Sequence, residues 1–283
     1  MQQVSSLEQL RQQAKQWRQQ GLMIGFVPTM GNLHAGHLSL VEKAKQHADK
    51  VIVSIFVNPL QFNEQSDLDA YSRTQDKDAA KLVETACDIV FMPEVKTVYP
   101  EGMAKQSKVI VPEIGDRLCG AHRPGHFDGV ATVVTKLFNM VMPDIAVFGE
   151  KDYQQLLLIK KLVHDLNMPI KIIGAPTHRE QSGLAMSSRN QYLSEAEQIV
   201  ASEIYQTLLD IKQSLENGRN DFTTLCEQAK QAIEQKGFEV DYIEICRETD
   251  LMPAQSSDKG LRILVAAQLG LARLIDNLPC NLA

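Results

Sequence analysis

His34 and His37 stand three positions apart in the stretch Leu22–Leu40, LMIGFVPTMGNLHAGHLSL, with only Ala35 and Gly36 between them. On the first turn of a helix that spacing points both imidazoles the same way. The two small residues leave room for a ligand to approach the backbone. Histidines beside a helix N-terminus can donate hydrogen bonds to phosphate oxygens and stabilise negative charge as it develops there. The competing reading is one capping and one packed histidine. Zinc is disfavoured, because no third ligand stands at a usual spacing.

The elements that would position this pair follow from the flanking pattern. Leu22 to Val27 is an apolar run of the length of a buried strand. Pro28 and Gly31 break it, and Leu38, Val41 and Ala44 then recur at helical spacing from about Gly36. Strand, loop and helix in this order aim the unpaired N–H groups of a helix start at whatever lies above the sheet. VIVSIFV (Val51 to Val57) is a second strand that stops at Asn58-Pro59, and two apolar strands joined by a helix predict a parallel βαβ unit. Ligands bind beyond the carboxyl ends of such strands, so the loops after Val27 and Val57 are expected to share one cleft. The second loop offers Asn58, Gln61, Asn63 and Tyr71. A glutamine amide provides both donor and acceptor and suits a hydroxyl or a carboxylate; a solvated loop is the alternative.

Further along, a helix is expected over Asp76 to Ala86 and strands over Asp88 to Met92, Asp144 to Phe148 and Ile170 to Gly174. Arg123, in HRPGHFDGV, is either a flap over an anion or a surface arginine. At the end of DIAVF, Gly149, Glu150, Lys151 and Asp152 place a point charge suited to phosphate, with carboxylates that pair with it or hold a metal-bound water. Ser187, Ser188 and Arg189 combine hydroxyls and a guanidinium, a set that suits polyphosphate oxygens or, alternatively, caps a helix. Beyond Ser194 the pattern changes to helices over 195–217 and 222–236, then strand-like runs at 240–245, 261–267 and 272–277. The expected architecture is α/β, a Rossmann-like parallel sheet over residues 1–176, with a smaller α+β lid domain over 177–283.

Composition narrows the partners. The 283 residues are 44% apolar and 23% charged, and a formal net charge of −6 argues against a nucleic-acid backbone as partner. The five cysteines are scattered with no C-x-x-C, which a reduced cytoplasmic setting accounts for most simply. The polar, glutamine-rich start does not read as a signal peptide, and no apolar run approaches the ~20 residues that span a bilayer.

PTMGNLHAGHLSLV, VNPLQF, HRPGHFDGV, FGEKDYQQL and LAMSSRNQYL occur in that order. Together they closely resemble the pantothenate synthetases (pantoate–β-alanine ligases); H-x-G-H alone would indicate only the wider nucleotidyl-transferase superfamily. The resemblance implies an ATP-dependent ligase whose substrates are ATP with Mg2+, (R)-pantoate and β-alanine. It implies a pantoyl-adenylate intermediate, no covalent enzyme adduct and a homodimer. Carried over by position, Met30, Gly31, Asn32, Leu33, His34, Ala35, Gly36 and His37 would line the ATP site. Gly149, Glu150, Lys151, Asp152 and His178 would join them, and Met186, Ser187, Ser188 and Arg189 would complete the triphosphate site. His37 would be a general acid, with His34 and Lys151 stabilising phosphate charge. Gln61 and Gln155 would bind pantoate, and Gln61 would also lie near β-alanine. Asn32, Ala35 and His178 depart from the family's usual residues. The competing functions are a nucleotidyltransferase acting on a phosphorylated acceptor and a nucleotide-sensing binding module.

Overall fold

Apolar runs buried on both faces cannot alternate with polar residues, and four of the first six strands, the second to the fifth, are made of such runs. In the computed structural model, which describes residues 1–63, 65–85 and 87–282, these are β1 (Gln2–Val4), β2 (Ile24–Thr29), β3 (Lys50–Ile55), β4 (Ile89–Phe91), β5 (Ile145–Gly149) and β6 (Lys171–Ala175). They form one parallel sheet in the order β1-β4-β3-β2-β5-β6. The chain winds from β2 outward through β3 to β4, then returns to the other side of β2 for β5 and β6. The direction therefore reverses between β2 and β5, which places a crevice beyond their carboxyl ends.

Val27, Val51, Val53, Val90, Ile145 and Val147 pack with Val41, Ala44 and Leu82 of the helices Ala35–Lys45 and Gln75–Glu84. Phe138 meets Phe26 and Phe148 edge-to-face, at 6.2 and 6.3 Å between centroids.

Several boundaries differ from the sequence reading. β2 continues through Pro28 to Thr29, because the fixed φ of proline is compatible with extended backbone near a strand end. The short, polar β1 carries no apolar pattern and was not anticipated; it is recognised only through its pairing with β4. The last residue of the helix expected over 76–86, Ala86, lies outside the described residues.

Contacts divide the chain into two units, Met1–Glu150 with Leu158–Pro176, and Lys151–Leu157 with Thr177–Ala283. Residues 151–157, placed by the sequence in the first domain, group with the second because their hydrogen bonds lie there: Asn277 donates to the Lys151 carbonyl and the Tyr153 hydroxyl to that of Glu248. The second unit has an antiparallel sheet of β7 (Glu239–Arg247), β8 (Gly260–Leu269) and β9 (Ala272–Asn281), in that order. Ile263, Val265, Ala267 and Leu274 of this sheet pack against Leu208, Ile211 and Leu215 of helix Glu203–Glu216 and Leu225 and Ile233 of helix Phe222–Glu234. The single helix expected over 195–217 is two, Glu195–Ala201 and Glu203–Glu216; at the junction the Ser202 hydroxyl donates back to the Ile199 carbonyl and competes with the helical ladder. No helix among the described residues is long and apolar enough to cross a membrane.

Asp88 ties the entry of β4 to its neighbours. Its carboxylate accepts from Lys45 at 2.6 Å, the Val51 N–H at 2.9 Å and Lys50 at 3.1 Å. Burial pushes its pKa up, but these donors outweigh burial and hold it below the ordinary 3.8. A depressed folded pKa stabilises the native state above the unfolded value, and that stability is lost as pH falls through the folded one. Asp88→Asn is therefore expected to unfold with about 1–3 kcal/mol less stability at pH 7. The gap from the parent should narrow below pH 3.8. Urea unfolding at both pH values checks this, and an equal gap at the two would count against the assignment.

Candidate active site

The loop between β2 and the helix Ala35–Lys45 is held by a buried carboxylate. Gly31 and Asn32 take φ of +86° and +50°, turning the N–H groups of Asn32 and Leu33 to the same side. Both donate to Asp78, to Oδ2 and Oδ1 respectively, each at 2.8 Å. Asp78 is fully buried on helix Gln75–Glu84, and the Thr74 hydroxyl donates to its Oδ2 at 3.0 Å. The φ of Gly31 favours glycine, and a Cβ there would also be crowded, 3.1 Å from Ile55 and 3.2 Å from Asp78 Oδ2. Lys81, one turn on, donates to the Leu33 carbonyl at 2.5 Å.

This clamp sets where the next helix begins, with His34 as N-cap and Ala35 as first helical residue. The imidazoles of His34 and His37 lie side by side, 4.1 Å between centroids, as their spacing predicts. His37 Nδ1 accepts the His34 backbone N–H at 3.3 Å. With Nδ1 an acceptor, the neutral ring carries its proton on Nε2, the tautomer suited to donating toward an oxyanion.

The loops after β2 and β3 meet, as the parallel topology requires. Gln61 closes the short 3-10 turn Pro59–Gln61, and its Nε2 lies 2.9 Å from Met30 Sδ. Asn58 Nδ2 donates to Gln61 Oε1 and to the Gly129 carbonyl, both at 3.1 Å, while the Tyr99 hydroxyl donates to Asn58 Oδ1 at 2.7 Å. Burial raises the Tyr99 phenol above its ordinary value, so it stays a neutral donor. Gly129 must be glycine, because a Cβ would sit 2.4 Å from the Leu60 carbonyl oxygen. Arg123, read from sequence as a flap or surface residue, reaches His126 Nε2 at 3.2 Å and the Gln61 carbonyl at 3.4 Å, and His126 Nδ1 lies 2.7 Å from that same oxygen.

In the second unit Lys151 Nζ, on a largely buried side chain, lies 3.8 Å from the exposed Asp152, a loose pair. Gln155 is half-buried on the first turn of helix Tyr153–Asp165. His178 is exposed, and its carbonyl accepts the Met186 N–H at 2.9 Å in a small hairpin bridged by Arg179 and Ala185. Ser187 Oγ accepts from the Arg189 N–H at 3.2 Å, so this serine caps the short turn Ser188–Tyr192.

With His34, His37, Met30 and Gln61 gathered at the carboxyl ends of β2 and β3, the comparisons decide the family. The profile described as pantoate-beta-alanine ligase matches residues 2–279. The chain belongs to the pantoate–β-alanine ligase family. It is 55% identical to a pantothenate synthetase of Pseudomonas fluorescens (strain Pf0-1) over 279 residues, 99% of this chain and 98% of that protein. It is 54% identical to one from Marinobacter nauticus over 278 residues, 98% and 99% of the two chains. The crystal structure of pantothenate synthetase from Thermus thermophilus superposes with a TM-score of 0.90 at 42% identity, covering 98% of this chain and 99% of that one. The ligase from Francisella tularensis, complexed with beta-gamma ATP and beta-alanine, gives 0.83 at 38% identity, covering 98% and 97%.

Neither Asp78 nor Tyr99 entered the sequence reading of this family site. Asp78 had a signal: it stands four residues before Leu82 on one helix face, an acid where the pattern asks for an apolar residue. Tyr99 had none, because it lies in a segment without periodicity. Asp78→Ala strands two buried N–H groups and is expected to cost about 3 kcal/mol of stability. Turnover should also fall, since the helix start is no longer fixed. Thermal unfolding and steady-state kinetics check both; parental values in each would refute the clamp.

Proposed function

We propose that the protein condenses (R)-pantoate with β-alanine to pantothenate at the expense of ATP, in two steps. The pantoate carboxylate attacks the α-phosphorus of ATP, forming pantoyl adenylate and expelling pyrophosphate. The amine of β-alanine then attacks the acyl carbon; the C–O bond to phosphate breaks, and AMP leaves with the electron pair. The observation that carries this reading is the histidine pair at the start of the helix after β2, beside a glutamine whose amide is oriented by neutral partners.

The division of residue types follows the charge changes. Gln61 and Gln155 bind pantoate through amides, which orient a carboxylate without neutralising the attacking oxygen, and Gln61 also serves β-alanine. His37 takes the position of the general acid, its Nε2–H donating a hydrogen bond to the developing oxyanion, and His34 and Lys151 act where charge grows on the phosphorus and the leaving pyrophosphate. Met30, Gly31, Asn32, Leu33, Ala35 and Gly36 complete the nucleotide site, with Gly149, Glu150, Asp152, His178, Met186, Ser187, Ser188 and Arg189 contributing by the family motifs. Mg2+ comes with the nucleotide: it commonly keeps several waters and binds through phosphates and one or two carboxylates. The protein works as a homodimer in the cytoplasm, without nucleic acid or membrane as partners.

The competing transfer of a nucleotide to a phosphorylated acceptor would need cationic groups where Gln61 and Asn58 stand. The deciding experiment is pyrophosphate release from Mg·ATP. A burst with (R)-pantoate alone, becoming steady AMP formation on adding β-alanine, is expected; ATP binding without release in either case would refute the ligase reading. His37→Ala and Lys151→Ala are each expected to lower kcat by about 10²–10³-fold while the fold is retained.

A further inference from the structure

β9 carries two adjacent polar residues, Asp276 and Asn277, which are almost fully buried at 4% and 3% exposure. Successive side chains on a strand leave on opposite faces, so the two reach different segments. Asn277 Nδ2 donates to the Lys151 carbonyl at 2.9 Å, and its Oδ1 accepts from Arg262 at 3.1 Å. Arg262, itself 3% exposed, also donates to Glu248 at 3.1 Å and stacks 3.6 Å over the Tyr153 ring. The Tyr153 hydroxyl closes the ring by donating to the Glu248 carbonyl at 3.1 Å. On the other face Asp276 takes both arms of the Arg179 guanidinium, at 2.5 and 2.9 Å, and Arg179 stacks 3.9 Å over Tyr205 and donates to the Gly183 carbonyl. Asp276 Oδ1 also accepts the Asn277 N–H at 2.7 Å, which couples the two grips.

We infer that Asp276 and Asn277, with Arg262, are positioning residues for the adenylation step: Asn277 fixes the Lys151 segment and Asp276 fixes the hairpin that leads into Met186–Arg189. The inference rests on the ligase reading above. A buried arginine with three partners is costly to maintain for packing alone; here its partners converge on the backbone that carries Lys151. Neither Asp276 nor Asn277 touches a reacting atom in this assignment. They hold the segments that do.

The test uses the full chain and three variants. Asn277→Asp keeps an acceptor for Arg262 and removes the donor to Lys151. Asp276→Asn weakens the two-armed grip on Arg179. Asp241→Asn loosens the Arg273–Asp241 pair (2.8 Å) of the same sheet and is the control. Backbone hydrogen exchange is expected to quicken over residues 151–155 in Asn277→Asp, over 178–189 in Asp276→Asn, and over neither segment in the control. kcat/KM for ATP should fall about tenfold or more in the first two, as for a misplaced catalytic group, with KM for β-alanine within about twofold. Parental exchange in both segments, parental kcat/KM for ATP despite altered exchange, or an equal loss in the control would each overturn the positioning role. If Asn277→Asp does not fold, Asn277→Ser takes its place with the same expected pattern. A parent protein that makes no pantothenate overturns the ligase reading instead, and the exchange data still decide whether β9 anchors the two segments.

Discussion

The two hydrogen bonds from the Asn32 and Leu33 N–H groups to the Asp78 carboxylate are the constraint on which the site depends. A loop with two successive residues at positive φ turns its amides inward, and inward amides need an acceptor. A carboxylate satisfies both at once because its two oxygens diverge by the right amount, and it is anchored on a helix packed against the same sheet. The start of the following helix is thereby fixed in space. The donor field of its first turn, and the two imidazoles on it, inherit their positions from a residue that contacts no substrate in the assigned chemistry.

Beside the histidines, the side-chain amide of Gln61 has neutral partners, Met30 and an Asn58 that is itself held by Tyr99 and the Gly129 carbonyl, while Arg123 and His126 reach its backbone carbonyl. A buried network of this kind is rigid only when each member is satisfied, because an unpaired polar group in a low-dielectric interior costs more than one bond returns. Neutrality matters for the chemistry as well. A lysine or arginine in place of Gln61 would bind a carboxylate more tightly in the ground state and blunt its nucleophilicity, which would spend binding where no barrier is lowered.

Much of this was legible in the sequence, for identifiable reasons. β2, β3, β4 and β5 are runs of Val, Ile and Phe bounded by Gly, Pro or Asp, and buried parallel strands leave little else as their signature. The helical spacing from Leu38 onward and the i, i+3 histidines fixed the geometry of the pair to within one residue of the helix start. What escaped was of two kinds. Boundaries moved where a side chain competes with the backbone, as Ser202 does. Long-range polar contacts were silent: Asp78 lies 45 positions from Leu33, Tyr99 41 from Asn58, and Asn277 126 from Lys151. No local periodicity encodes such pairings. The five motifs identified the family without indicating what holds them in place.

The grouping of Lys151–Leu157 with the second unit bears on how the chain could be divided by recombination. A single crossover at Pro176-Thr177 would transplant Arg262 and Asn277 into a new background while leaving Tyr153 and the Lys151 carbonyl behind. A buried guanidinium would then meet a foreign ring, and a buried amide a foreign carbonyl. The two units are interleaved in inheritance, so the smallest exchangeable module is a discontinuous one, and 151–157 must travel with 177–283 for the second unit to keep its polar interior intact.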